Sequence, residues 1–117
     1  MVRIIDASVA IKWFVKEEGR DQALELLEKI LARPGDFAVP ELFFFELVHV
    51  FHRTLPRAGK KQITLVEKVL DLGIPRFAMT SDLFRATRQM QALGLSGYDA
   101  AYVGLASLVN GRWVTFD

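Results

Sequence analysis

The chain of 117 residues has no cysteine. That absence excludes a disulfide framework, a thiolate zinc site and a cysteine nucleophile. Histidine is almost as scarce: His49 and His52 stand three apart in one apolar stretch, and no third nitrogen or sulfur ligand accompanies them. They read as surface or interface histidines rather than a zinc pair, and no Ser-His-Asp spacing points to a protein nucleophile. Charge of one sign is lacking too. Fifteen basic residues face fourteen acidic ones, for a formal charge of +1, a balance that neither requires nor forbids a nucleic-acid partner. No apolar run reaches the roughly 20 residues of a membrane span, and no basic segment followed by an apolar one opens the chain. A soluble, cytoplasmic protein is expected. No linker, low-complexity tract or repeat divides the sequence, so one domain over residues 1–117 is expected. What is plentiful is apolar side chain, at 51%, enough for one core and too much for disorder.

Short β-like runs alternate with longer helical patterns. Val2 to Asp6 predicts the first strand, Ser8 to Val15 a short helix broken by Gly19, and Asp21 to Leu31 a second helix with Ala23, Leu24, Leu27, Ile30 and Leu31 at helical spacing. Arg33-Pro34-Gly35-Asp36 signals a turn, Phe37-Ala38-Val39 a strand. Glu41 to Leu55 predicts a helix apolar on nearly every side, hence buried in the core or in a partner surface. Lys60 to Leu72 predicts a further helix, Ile74 to Ala78 a short strand, Thr80 the cap of a helix to about Leu93, Ser96 the start of the last helix to about Val109, and Arg112 to Phe116 the final strand. This alternation predicts an α/β fold of three layers, a short parallel sheet with helices on both faces. Right-handed crossovers would bring strand C-termini to one edge, and with them Asp6 and Asp117.

Four acids occupy unusual places. Asp6 ends the first strand. Glu46 interrupts Leu42-Phe43-Phe44-Phe45-Glu46-Leu47-Val48. Asp99 follows Leu95-Ser96-Gly97-Tyr98, and Asp117 follows Arg112-Trp113-Val114-Thr115-Phe116. Each has an ordinary reading. Asp6 can cap the helix after it, with help from Ser8. Ser96-Gly97-Tyr98-Asp99 matches a capping box, and Asp117 can be a solvated terminal acid. Glu46 is harder to explain, because burying a lone carboxylate costs several kcal/mol unless it is paired. Arg53, His49 or a metal could pair with it. Taken together, the four acids point to one pocket. Two carboxylates ~4 Å apart repel by about 4 kcal/mol at an effective dielectric near 20, and a divalent cation removes that conflict. Oxygen ligands favour magnesium or manganese over zinc.

These stretches resemble the motifs of the PIN-domain family, above all its VapC-type toxins. Ile5-Asp6-Ala7-Ser8-Val9-Ala10-Ile11-Lys12-Trp13-Phe14 is similar to the opening motif. Pro40-Glu41-Leu42 with Glu46-Leu47 is similar to the second, Leu95-Ser96-Gly97-Tyr98-Asp99-Ala100-Ala101-Tyr102 to the third, and Val114-Thr115-Phe116-Asp117 to the fourth. The resemblance implies a metal-dependent ribonuclease, with Asp6 and Asp99 as the primary ligands of Mg2+ or Mn2+ and Glu46 and Asp117 completing the acidic pocket. Ser8 and Thr115 would support them by hydrogen bonds. It also implies an RNA substrate, a small antitoxin that blocks the pocket, and a homodimer. Two departures stand out. His49 replaces the asparagine of many relatives, and those relatives continue through another element after the fourth acid, which this sequence would lack.

The expected reaction is hydrolysis of RNA phosphodiester bonds by a metal-activated water. Basic residues should rim the acidic pocket, with Lys12, Lys16, Arg53 and Arg57 as candidates. The rival reading is a non-catalytic binding scaffold in which the acids act as caps. A phospho-acceptor receiver fits poorly, since Asp6 has no acidic neighbour before Glu17 and no lysine follows Lys68. A phosphate-cradling nucleotide fold fits less well still, as no glycine-rich loop follows the first strand.

Overall fold

The computed structural model describes residues 1–54, 59–95 and 97–116. The expected helix end at Leu55, the turn at Pro56, the rim residue Arg57, the helix start at Ser96 and the fourth acid Asp117 lie outside the described residues. Strand β1 covers Arg3–Ile5, and the short helix α1 covers Ala7–Ile11. Helix α2 is Arg20–Ala32, followed by one tight turn at Pro34–Asp36 and strand β2, Phe37–Pro40. Then come α3 (Leu42–Thr54), α4 (Gly59–Leu70), β3 (Arg76–Phe77), α5 (Ser81–Ala92), α6 (Asp99–Leu108) and β4 (Arg112–Val114).

The four strands form one sheet in the order β3-β2-β1-β4, and every pairing is parallel. Successive side chains of a strand point to opposite faces. Ile4 and Ile5 are both fully buried, as are Phe37, Ala38 and Val39 nearly so. Both faces of the sheet are therefore covered by helices, which is why these strands read as unbroken apolar runs rather than alternating ones. The expected three-layer α/β fold is the one observed.

Element boundaries shifted where backbone geometry overrode the apolar pattern. The first helix stops at Ile11, four residues short of the expected Val15. Trp13, Phe14 and Val15 continue in turns that bond back to Ala10 and Ile11, and the Trp13 indole donates to the Ala23 carbonyl at 2.8 Å, tying this turn to α2. The last strand is three residues, not five, because the chain after Val114 turns toward α1. Thr80 caps α5 as expected, its side chain accepting from Leu83 N at 3.2 Å. Asp99 opens α6 with Tyr98 as its N-cap and no side-chain capping bond.

Helix α3 is only partly buried. Phe43, Leu47 and Phe51, four residues apart, face the core, whereas Phe45, Val48 and both histidines are exposed. The tight junction between α6 and β4 needs Gly111. Its N–H bonds the Ala106 carbonyl, and a Cβ there would stand 2.7 Å from the Val2 carbonyl oxygen. That close approach lets Arg112 N bond Val2 O and sets β4 in register with β1. Among the described residues, no helix is long and apolar enough to cross a membrane.

Candidate active site

Parallel strands deliver their C-terminal ends to one edge, and the residue after β1 is Asp6. It is 5% exposed, the only charged side chain buried among the described residues. Three donors hold it. Ser8 N and Ser8 Oγ reach Oδ1 at 3.0 and 2.5 Å, and Trp113 Nε1 reaches Oδ2 at 3.1 Å. Hydrogen bonds to both oxygens offset the cost of burying this polar group. The first of these bonds is the expected N-cap of α1. Capping and a place in a site are therefore not alternatives for Asp6.

Ser8 connects this acid to the end of the chain. Its hydroxyl lies 3.2 Å from Thr115 Oγ1 and accepts from Phe116 N at 2.9 Å. Ser8 has one hydroxyl proton, and it goes to Asp6, so Thr115 donates in their pair. Ser8 thus hydrogen-bonds Asp6 directly, and Thr115 hydrogen-bonds Ser8.

Glu46 comes from the middle of α3 and Asp99 from the first turn of α6. The structure answers the question of what meets Glu46: the Tyr102 hydroxyl donates to its Oε1. Tyr102 lies one turn beyond Asp99 on α6, is buried, and stacks on Trp113 with ring centroids 6.4 Å apart and planes 12° from parallel. Its hydroxyl is pushed well above the ordinary phenol value. Burial is the largest cause, followed by the hydrogen bond to Glu46 and by the negative charges of Glu46, Asp6 and Asp99. Ionising it would add a fourth negative charge to a poorly solvated spot.

Asp6, Glu46 and Asp99 line a single cleft of about 320 Å³, together with Ser8, Tyr102 and Phe116. Its other charged residues are Glu17, Lys12 and Arg53, so acids outnumber cations. Lys12 is committed to structure, with Nζ 3.0 Å from Glu17 Oε1, 2.7 Å from the Glu18 carbonyl and 5.5 Å from the Phe116 ring centre. Arg53 has no ion-pair partner among the described residues. Lys16 does not line the cleft but a separate hollow beside α2. Of the expected rim residues, Lys12 and Arg53 are thus at the cleft.

The donor set suits a hard divalent cation in kind: carboxylate oxygens around a hollow of net negative charge, with no nitrogen or sulfur ligand. As the side chains lie, no three acids among the described residues stand close enough to form a closed ligand set.

Sequence reasoning missed Tyr102 and Trp113. A signal for Tyr102 was present in its spacing, since residues three apart on a helix share a face and Asp99 stands three before it. Trp113 carried no such signal. It reaches Asp6 only because β4 pairs with β1, placing Trp113 opposite Ile4.

The chain belongs to the PIN-domain family, whose match spans residues 3–117. Its fold is shared with toxins and toxin–antitoxin complexes of bacteria. One similar structure is VapC20 of Mycobacterium tuberculosis, a toxin that cleaves the sarcin–ricin loop, at 13% identity and TM-score 0.76, covering 98% of this chain and 89% of that one. Another is VapBC2 of Rickettsia felis bound to a DNA fragment from its promoter, at 10% identity and TM-score 0.77, covering 100% and 89%. A toxin–antitoxin complex from Klebsiella pneumoniae aligns at 18% identity and TM-score 0.65, covering 98% and 86%. Identities this low speak for a shared fold. No curated protein matches the chain in sequence.

Proposed function

We propose that this protein is a magnesium- or manganese-dependent endoribonuclease, the toxin of a toxin–antitoxin pair. The observation that carries the reading is the meeting of Asp6, Glu46 and Asp99, from three separate elements, in one cleft at the C-terminal edge of a PIN-domain sheet. The relatives' association with antitoxins supports a small protein partner that covers this cleft. A homodimer and a cytoplasmic setting complete the proposal.

In this reading Asp6 and Asp99 are the primary metal ligands, and Glu46 and Asp117 add negative charge around them. A divalent ion held there would supply a polarised water and positive charge against the phosphate oxygens. The protein's own groups do the positioning. Ser8 and Trp113 fix the Asp6 carboxylate in one orientation. Tyr102 keeps its proton and holds Glu46 at the cleft. Arg53 offers a cation to the RNA backbone at the rim, offsetting the repulsion that an acidic hollow exerts on phosphate.

The threefold hydrogen bonding of Asp6 also favours a second reading, in which the acid is a structural cap and the domain a binding scaffold. Incubation of RNA with the purified protein separates the two. Cleavage that requires magnesium, stops with EDTA and is absent from Asp99→Asn supports the nuclease. RNA left intact by the parent protein in magnesium and in manganese, together with no carboxylate-dependent metal binding, supports the scaffold.

A further inference from the structure

Beside the acidic cleft lies a second hollow of about 440 Å³, lined by Leu42, Phe45, Glu46, His49, Val50 and Tyr98. Glu46 and Val50 line both, so the two are adjacent. Phe45 is 71% and Tyr98 63% exposed, and among the described residues neither ring packs against another aromatic ring. Large apolar rings held in water are a cost to the free protein unless something covers them in use. Their position in the chain is also particular. Phe45 immediately precedes Glu46, and Tyr98 immediately precedes Asp99, so each ring is anchored about 3.8 Å along the backbone from a cleft acid. His49, one helical turn after Phe45, is exposed and adds a planar ring with hydrogen-bonding nitrogens.

Resting on the ribonuclease reading, we infer that Phe45, His49 and Tyr98 form a stacking site for an unpaired nucleobase next to the bond that is cut. An acidic cleft gains little from phosphate contacts. Stacking supplies affinity that does not depend on charge and accepts any base, because every base has a π-face. A base can reach these rings only when it is out of a duplex, so the substrate class is a single strand, loop or bulge. The exposed apolar groove between α3 and α4, formed by Val48, Phe51, Ile63 and Val66, is a separate feature. It shares no lining residue with the Phe45–Tyr98 hollow, which adjoins the cleft at Glu46 and Val50.

The test uses oligoribonucleotides carrying 2-aminopurine, either single-stranded or within a duplex, with calcium in place of magnesium and again in EDTA. The full-length protein should bind the single strand and quench its fluorescence, and should bind the duplex more weakly. Phe45→Ala and Tyr98→Ala should each weaken single-strand binding by about tenfold and relieve the quench, with an unchanged circular dichroism spectrum. Phe45→Tyr and Tyr98→Phe, which keep the rings, should retain the quench. Light scattering at the same concentration reads the oligomeric state. Variants that lose self-association yet bind RNA like the parent would assign the rings to contacts between copies and overturn the inference. So would a parent protein that gives no quench. RNA cut in magnesium with equal KM by parent and alanine variants would overturn the stacking site alone. A quench without any cleavage would overturn the nuclease reading and leave the stacking site standing.

Discussion

The Tyr102 hydroxyl donates to Glu46 Oε1 across 56 residues of sequence, joining α6 to α3 at the floor of the acidic cleft. This bond is a consequence of two burials. Tyr102 packs inside against Trp113, and Glu46 projects from an apolar helix toward the Tyr102 hydroxyl.

Tyr102→Phe should keep the stacking on Trp113 and remove the donor. A hydrogen bond to a charged acceptor is worth about 1–3 kcal/mol, so denaturant midpoints at pH 7 should fall by a loss in that range. The pH dependence has a fixed sign. The folded protein holds the phenol proton above its ordinary value of 10.0, so this contribution is complete below about pH 10 and is lost as pH rises beyond it, where the unfolded chain releases the proton first. Unfolding curves of the parent should steepen in their pH dependence above pH 10 relative to the Phe variant. Parallel profiles for the two proteins would refute the assignment.

Asp6→Asn and Asp99→Asn should both abolish magnesium-dependent cleavage but should differ in stability. At Asp6 the new amide must point its N–H2 at a donor, either the Trp113 indole or the Ser8 amide and hydroxyl. A donor facing a donor in a buried place costs about 1–3 kcal/mol. Asp99 is exposed, and surface changes usually stay within about 0.5 kcal/mol. Thermal melts and RNA cleavage on the same preparations check both halves.

Ser8→Ala removes the hydroxyl that Asp6, Thr115 and Phe116 share. The Phe116 amide then loses its acceptor, and its hydrogen exchange should speed up by about tenfold. Stability should fall by about 1–2 kcal/mol. Exchange measured by NMR at Phe116 is the deciding readout, with amides in α5 as the internal reference.

Gly104→Ala tests the contact between α5 and α6. A Cβ there would stand 2.9 Å from Thr87 N and 3.1 Å from Ala86 C, both backbone atoms that cannot swing aside. Ala is the better helix former by about 1 kcal/mol, so propensity alone predicts a gain. Forcing the two helices apart costs typically 1–3 kcal/mol, and the net effect should be a loss. A rise in melting temperature would show that the helices separate freely.

Much of the fold was legible because burial leaves a trace in residue type. Val2-Arg3-Ile4-Ile5 and Phe37-Ala38-Val39 could be read as strands because both faces of the sheet are covered. Thr80 could be read as a cap because its position before Ser81 is chemically distinctive. Helix ends were less legible. The apolar run to Val15 continues past Ile11 because Trp13, Phe14 and Val15 pack from turns as well as they would from a helix, and hydrophobicity does not register backbone angle.

The acids of the candidate site were conspicuous in the sequence because carboxylates are costly next to Ile5 or between Phe45 and Leu47. Local chemistry alone determined that they needed partners. Which partners they found was decided by tertiary structure. Trp113 meets Asp6 because two parallel strands are in register, and Tyr102 meets Glu46 because two helices pack against the same sheet. Such meetings depend on distances across the molecule, which a linear order of residues does not encode.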